Sequence, residues 1–294
     1  MSRKLIVIAN EAAAVAELTA GAKTMGDEVV LITPAEVCGA ADRVYCWDGA
    51  GSMAVQLAGI AKIVENEAPA LVLCDNTPDG RLAAGCAAGL LNTSPLCDVS
   101  EIVCGDDAVE TARLVHGGGA VKRERCAYPA VLTVPAGSFE PAAEGTAEAV
   151  PFPACESALE LVGVDALEIS QVNLAAAKRV IAAGRGLSSA DNIPSFEKLA
   201  AKLGAEIGCT RPVAEEEHWY GKERYIGVSG CMLKPNFYMA VGISGQIQHM
   251  VGVNQAGVIF AIDKNENAPI INQADYTLVG DVNTVLPALL EKLG

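Results

Sequence analysis

Residues 240–253 read AlaValGlyIleSerGlyGlnIleGlnHisMetValGlyVal. An apolar, strand-like run over 237–243 stops at Ser244-Gly245. A polar segment with Gln246, Gln248 and His249 then leads into an apolar helical pattern. A strand that ends in Ser-Gly and turns into a helix leaves backbone N–H groups unpaired at the helix start, where a phosphate or another electron-rich ligand can sit. His249 lies five residues beyond Ser244, about one and a half helical turns on, so a group bound at the helix start extends past the imidazole.

Around this stretch the C-terminal half alternates helix and strand signals. Helices are expected at 174–183 and, after Pro194, at 195–203, with a closing helix at 282–293. Strands are expected at 205–207, 225–228, 238–243, 258–262 and 276–279. The N-terminal half shows the same rhythm, with strands at 4–10, 28–33, 43–47 and 70–75 and helices at 11–25, 52–66 and 81–91. Such alternation implies parallel sheets covered on both faces. Residues 102–168 look richer in strands, with apolar runs in or beside Val115, 130–134, Val150 and 159–164, while 142–158 has a loop-like Glu/Ala/Pro composition. The expected fold class is α/β, with two doubly wound, Rossmann-like domains of mostly parallel strands. In such sheets ligands sit at the C-terminal strand ends beside a switch point. Residues 208–211, Ser229, Ser244 and Asp263 each follow a predicted strand.

Composition narrows the function classes. The chain has 294 residues, 51% of them hydrophobic and only 4% aromatic, which favours closely packed helices on sheets over disorder. A net charge of −15 argues against nucleic-acid or anionic-membrane surfaces. The ten cysteines are scattered without a Cys-x-x-Cys pair, so they read as packed thiols of a reducing compartment rather than a disulfide framework or metal site. The start, MetSerArgLysLeuIleValIle, runs straight into a strand, and no apolar run approaches a bilayer-spanning length. A cytoplasmic protein without membrane insertion is expected.

Five ordered motifs carry a resemblance: ValIleAlaAlaGlyArgGlyLeu (180–187), IleGlyCysThrArgProVal (207–213), IleGlyValSerGly (226–230), the 240–253 stretch, and AlaAspTyrThrLeuValGlyAsp (274–281). Together they resemble the large (alpha) subunit of electron transfer flavoproteins from about residue 173 to the end. AsnThrProAspGlyArg (76–81) and HisGlyGlyGlyAlaVal (116–121) match the same family more weakly. The resemblance implies an FAD-bound electron carrier paired with a beta subunit. It would take electrons from a flavin-dependent dehydrogenase, of the acyl-CoA type, and pass them to an acceptor such as a quinone oxidoreductase or ferredoxin. No substrate chemistry of its own is required. In the family the strand at 159–168 returns to the first domain, which places the boundary after it. Residues 1–170 then dock the beta subunit and 171–294 bind FAD.

Each candidate has a plain structural alternative. Arg185, between two glycines, could fork onto a phosphate or be a solvated residue after a helix cap, and the family arginine contacts FAD. Thr210 and Arg211 could be a surface turn; the family places the pair on the cofactor, with the arginine beside the ring, where a cation favours negative charge. Ile226, Gly227, Val228 and Ser229 form the expected cofactor-facing loop, with the Ser229 hydroxyl near the flavin N5. Ser244, Gly245, Gln246, Ile247, Gln248 and His249 follow, and the resemblance puts His249 at the pyrimidine end of the ring, although a lone histidine on a helix is usually structural. Asp281 reads as a helix cap, and its family counterpart also lies near the adenosine.

Two residues depart from the family pattern: Cys231, where Lys is frequent, and Asp263, where Asn is usual. A carboxylate at 263 facing a pyrophosphate would repel it, or it could instead accept a ribose or ribityl hydroxyl; a shifted potential or weaker FAD retention is expected. Two other readings compete. A non-redox regulatory nucleotide-binding module of the same fold would show the same alternation. A nicotinamide-dependent dehydrogenase is disfavoured because AlaAsnGluAlaAlaAla, not Gly-x-Gly-x-x-Gly, follows the first strand.

Overall fold

The computed structural model describes residues 3–47, 52–116, 119–164 and 174–294. The chain packs as two units, one within residues 1–166 and the other principally residues 167–294. The expected boundary at 170/171 lies outside the described residues.

The first unit begins β1 (Lys4–Ile8), α1 (Ala12–Met25), β2 (Glu28–Thr33), β3 (Arg43–Cys46), α2 (Met53–Glu67), β4 (Leu71–Asp75) and α3 (Pro78–Leu90). It continues through β5 (Pro95–Leu96), β6 (Glu101–Cys104), β7 (Ala108–Val115), β8 (Ala120–Ala127), β9 (Ala130–Val134) and β10 (Glu148–Pro151). Seven strands form one sheet in the order β10-β3-β2-β1-β4-β9-β5, every neighbour parallel. The continuous apolar run of β1 follows from burial on both faces: Leu5 and Val7 pack toward α1, Ile6 and Ile8 toward α2 and α3. Local chemistry starts the helices. Ser52 Oγ accepts from Ala54 N at α2, and Thr77 Oγ1 accepts from Gly80 N at α3, where Pro78 costs no hydrogen bond. β6, β7 and β8 make a separate antiparallel sheet.

The second unit holds β11 (Arg179–Ala183), α4 (Ile193–Leu203), β12 (Glu206–Cys209), α5 (Arg211–Glu215), β13 (Phe237–Val241), α6 (Ile247–Met250), β14 (Ile259–Asp263), β15 (Tyr276–Val279) and α7 (Val282–Lys292). Its five strands are all parallel in the order β12-β11-β13-β14-β15. Chain order reverses at β11, which puts the switch point between β11 and β13. Phe196 and Leu199 of α4 and Leu286 of α7 cover one face; Tyr238, Met250 and Val253 fill the other.

Three expectations change. The helix expected at 174–183 is a single 3-10 turn, Leu174–Ala176, followed by β11. Pairing on both sides, to β12 and β13, outweighs the helix preference of its alanines. Residues 225–228 make two isolated bridges rather than a strand, because Gly227, at φ +133°, breaks the extended run. Residues 159–164 join no strand, and Val162 is 96% exposed; 165–168 lie outside the described residues. Among the described residues no helix is long and apolar enough to cross a membrane.

Candidate functional site

Because the second sheet is wholly parallel, its C-terminal strand ends share one edge, and the candidate residues gather there. Arg185 follows β11, Thr210 and Arg211 follow β12, Ser244 and Gly245 follow β13, Asp263 ends β14 and Asp281 follows β15. At the switch point the two chain turns touch backbone to backbone. Gly186 N donates to Gly242 O at 2.9 Å, and a Cβ on Gly186 would lie 2.6 Å from Gly242 Cα. The glycines flanking Arg185 therefore serve close strand-end packing, and a 3-10 turn, Arg185–Leu187, replaces the helix cap considered from sequence.

The 226–230 loop and the 244–249 segment are joined. Val228 N donates to Gln248 O at 2.9 Å, and a Cβ on Gly227 would meet that same oxygen at 2.5 Å. Ile226 and Gly227 are buried in this seam, whereas Val228 and Ser229 are exposed. Ser244, Gln246, Ile247 and Gln248 are also exposed, and Gly245 is buried at φ +79° against Ile270. The helix expected after Gly245 is only the four-residue α6, too short for the helix-start site inferred from sequence. What remains is a surface of exposed hydroxyls, amides and tight backbone.

Both arginines carry carboxylate partners. Arg211 Nε donates to Glu215 Oε2 at 2.6 Å, and Arg185 Nη1 reaches Glu216 Oε2 at 3.3 Å. Arg185, Glu216 and Arg211 are largely solvent-facing and Glu215 is half-buried, so these contacts hold the guanidiniums lightly. Asp281 is the N-cap of α7, its Oδ1 accepting from Asn283 N at 2.8 Å, which holds the carboxyl below its ordinary range. Asp263 Oδ1 accepts from Asn265 N at 2.8 Å. Cys231 is half-buried, and burial pushes its thiol up.

His249 is 8% exposed and belongs to the core side of this surface. Its Nε2 lies 2.7 Å from the hydroxyl of Tyr238, a fully buried residue of β13. Burial draws the imidazole pKa down to about 4; the Ile226 backbone opposes this weakly without closing a well-formed hydrogen bond on Nδ1. The ring is thus neutral near physiological pH, with one buried nitrogen unsatisfied.

This donor set fits a flavin dinucleotide: two cations for phosphate or a reduced ring, small hydroxyls and amides for polar edges, and the orphaned Nδ1 of His249. Sequence reasoning missed Glu215, Glu216 and Tyr238. The i,i+4 spacing of Arg211 and Glu215 was readable. Tyr238 was hidden in an ordinary apolar strand.

Comparison with known proteins matches both units to one family. Residues 173–254 match the electron transfer flavoprotein FAD-binding domain, and residues 5–159 match the electron transfer flavoprotein domain. Asp263 and Asp281 lie beyond the first of these spans. Protein FixB of Escherichia coli O81 (strain ED1a) is 44% identical over 237 residues, 79% of this chain and 76% of that one. Protein FixB of Escherichia coli O1:K1 / APEC is 44% identical over 233 residues, 77% and 74% of the two chains. A solved thiamin diphosphate-dependent enzyme from Mycobacterium smegmatis aligns at 12% identity and a TM-score of 0.25, over 97% of this chain and 59% of that one, and carries no argument.

Proposed function

The chain belongs to the electron transfer flavoprotein family as an alpha subunit, and from that premise we propose that its FAD is held along the C-terminal strand edge of the second unit. The observation that carries this reading is the convergence of Arg185, Arg211, Ser229, Ser244 and Gln248 on one edge, with their loops tied by the Val228–Gln248 hydrogen bond. FAD, when bound, supplies one- and two-electron chemistry, and the chain needs no nucleophile or general acid. Arg185, whose contact with Glu216 is loose, would hold the diphosphate. Arg211 would supply a permanent positive charge to the ring, which would favour negative charge on it. Ser229 and Gln248 would offer hydrogen bonds to polar ring atoms, and the exposed Val228 and Ile247 would supply apolar surface.

We assign the first unit to contact with the beta subunit. Its own switch-point crevice, between β1 and β4, is filled from within. The buried Asp75 accepts from the Thr77 hydroxyl at 2.6 Å and from Asn10 N at 3.3 Å, and the Asn10 amide donates to Asp79 at 2.8 Å. We further assign the donor to the flavin-dependent dehydrogenases of acyl-CoA type and the acceptor to a quinone oxidoreductase or ferredoxin. The compartment is taken as the cytoplasm, a reading supported by ten cysteines that form no disulfide.

The test is FAD affinity of the alpha–beta complex. Arg185→Ala removes a charge-assisted hydrogen bond of about 1.5–3 kcal/mol, so FAD should bind roughly tenfold to a hundredfold more weakly. Unchanged affinity in both Arg185→Ala and Arg211→Ala, with folding intact, would remove the cofactor from this edge.

A further inference from the structure

The pairing of Tyr238 with His249 has a chemical consequence for the site. A tyrosine hydroxyl both donates and accepts, whereas each imidazole nitrogen of a neutral ring does one or the other. Two arrangements of the 2.7 Å contact are possible in principle. If Nε2 carried the proton, the fully buried Tyr238 O–H would need a second acceptor, and Nδ1 would be a bare lone pair next to the Ile226 main chain. The N–H of Ile226 is already given to Cys209 O at 3.0 Å, so the group Ile226 has left to offer is its carbonyl. A lone pair facing a carbonyl is repelled; an N–H facing it is attracted. The consistent arrangement has Tyr238 donating to a bare Nε2, with the imidazole proton on Nδ1.

We propose that Tyr238 is a positioning residue, which fixes His249 as a neutral ring with its proton on Nδ1, directed at the 226–228 loop, and thereby sets the potential of the flavin held against that loop. The second half of this statement rests on the FAD placement proposed above. The buried environment supports it. Gly227 packs against His249 so closely that a Cβ would come within 3.3 Å of its Cα, so a change at the ring is felt directly by the loop. The buried cluster that holds Tyr238 is apolar and includes Leu233, Ile243, Met250 and Val253. Tyr238 is the titratable group in contact, with the Cys209 thiol acting on Tyr238 in turn. No charged side chain among the described residues contributes to the shift of His249. The imidazole therefore offers a fixed hydrogen-bond donor rather than a positive charge, and the charge that favours reduced flavin comes from Arg211.

The chain has only three histidines, which makes ring-nitrogen magnetic resonance practicable in the alpha–beta complex with labelled histidine in this chain alone. His249→Gln assigns the signal. The expected wild-type spectrum near neutral pH shows a protonated Nδ1 and a bare, hydrogen-bonded Nε2, unchanged down to about pH 5.5. Tyr238→Phe keeps the ring volume and removes the hydroxyl; it should mix the two tautomers and shift the FAD midpoint potential downward. The same substitution made on His249→Gln should leave the potential where His249→Gln alone puts it, a result that mere loosening of the core would not give. A wild-type ring that is cationic or protonated on Nε2 at neutral pH overturns the proposal, as does a Tyr238→Phe protein with the tautomer unaltered. Those results do not depend on where FAD binds. A changed tautomer with an unmoved potential overturns the link from His249 to the flavin, and counts against the FAD placement itself.

Discussion

Asp263 is the residue at which this chain tests its own electrostatics. Its Oδ1 accepts from Asn265 N at 2.8 Å, an interaction that an asparagine carbonyl can make as well. Asp263→Asn therefore removes the charge and keeps the turn. If the carboxylate faces the pyrophosphate, removing about 1 kcal/mol of repulsion should tighten FAD roughly fivefold. Calorimetric titration giving the same affinity for both proteins would show that the carboxylate points its charge elsewhere. At this scale the candidates were legible where a residue follows a predicted strand: Thr210, Ser244, Asp263 and Asp281 all occupy strand ends, whereas the strand before Arg185 was expected as helix. The site was not legible where a role depends on a partner distant in sequence. Nothing in the order of residues announces that the Tyr238 hydroxyl closes on His249 or that Glu216 reaches Arg185.

Elements in the first unit are clamped by charge at one end of its sheet. Glu67, the last residue of α2, accepts from Lys4 of β1 at 2.8 Å, from Arg43 of β3 at 2.7 and 2.8 Å, and from the Tyr45 hydroxyl at 2.7 Å. The Arg43 guanidinium, foremost, holds its carboxyl down to about 2, against an ordinary 4.5. A depressed carboxylate stabilises the fold above its unfolded pKa and loses that contribution as pH falls. On the order of 2 kcal/mol should thus disappear between about pH 4.5 and pH 2. Urea unfolding across pH should show Glu67→Gln well below wild type at pH 7, with the two converging toward pH 2; a gap that does not narrow would contradict the ion-pair account. Elements were read from sequence where one signal dominates. β2 and β9 fall at their expected bounds because Val/Ile/Leu runs end in turn residues. β11 was misread as helix because Ala182 and Ala183 favour helix locally, and only the flanking strands β12 and β13 make them sheet. The start of α3 was expected at Arg81 but falls at Pro78, since Thr77 caps the preceding turn.

For the whole molecule, the two α/β units share an architecture and differ in what stands at the switch point. In the first, the chain's own Asp75, Thr77, Asn10 and Asp79 occupy the strand ends. In the second, the strand ends carry exposed groups and two lightly held cations. That difference, together with the match of residues 173–254 to the FAD-binding domain, supports the proposal that the second unit carries electrons and the first contacts the partner. The most direct test is the visible spectrum of the complex with its beta subunit, followed through stepwise dithionite reduction in wild type and in the Arg185→Ala, Arg211→Ala double variant. The expected result is an oxidised-flavin spectrum that bleaches reversibly in the wild type, and flavin largely lost from the double variant while the complex stays assembled. A double variant that retains its full flavin and reduces as the wild type does would contradict it.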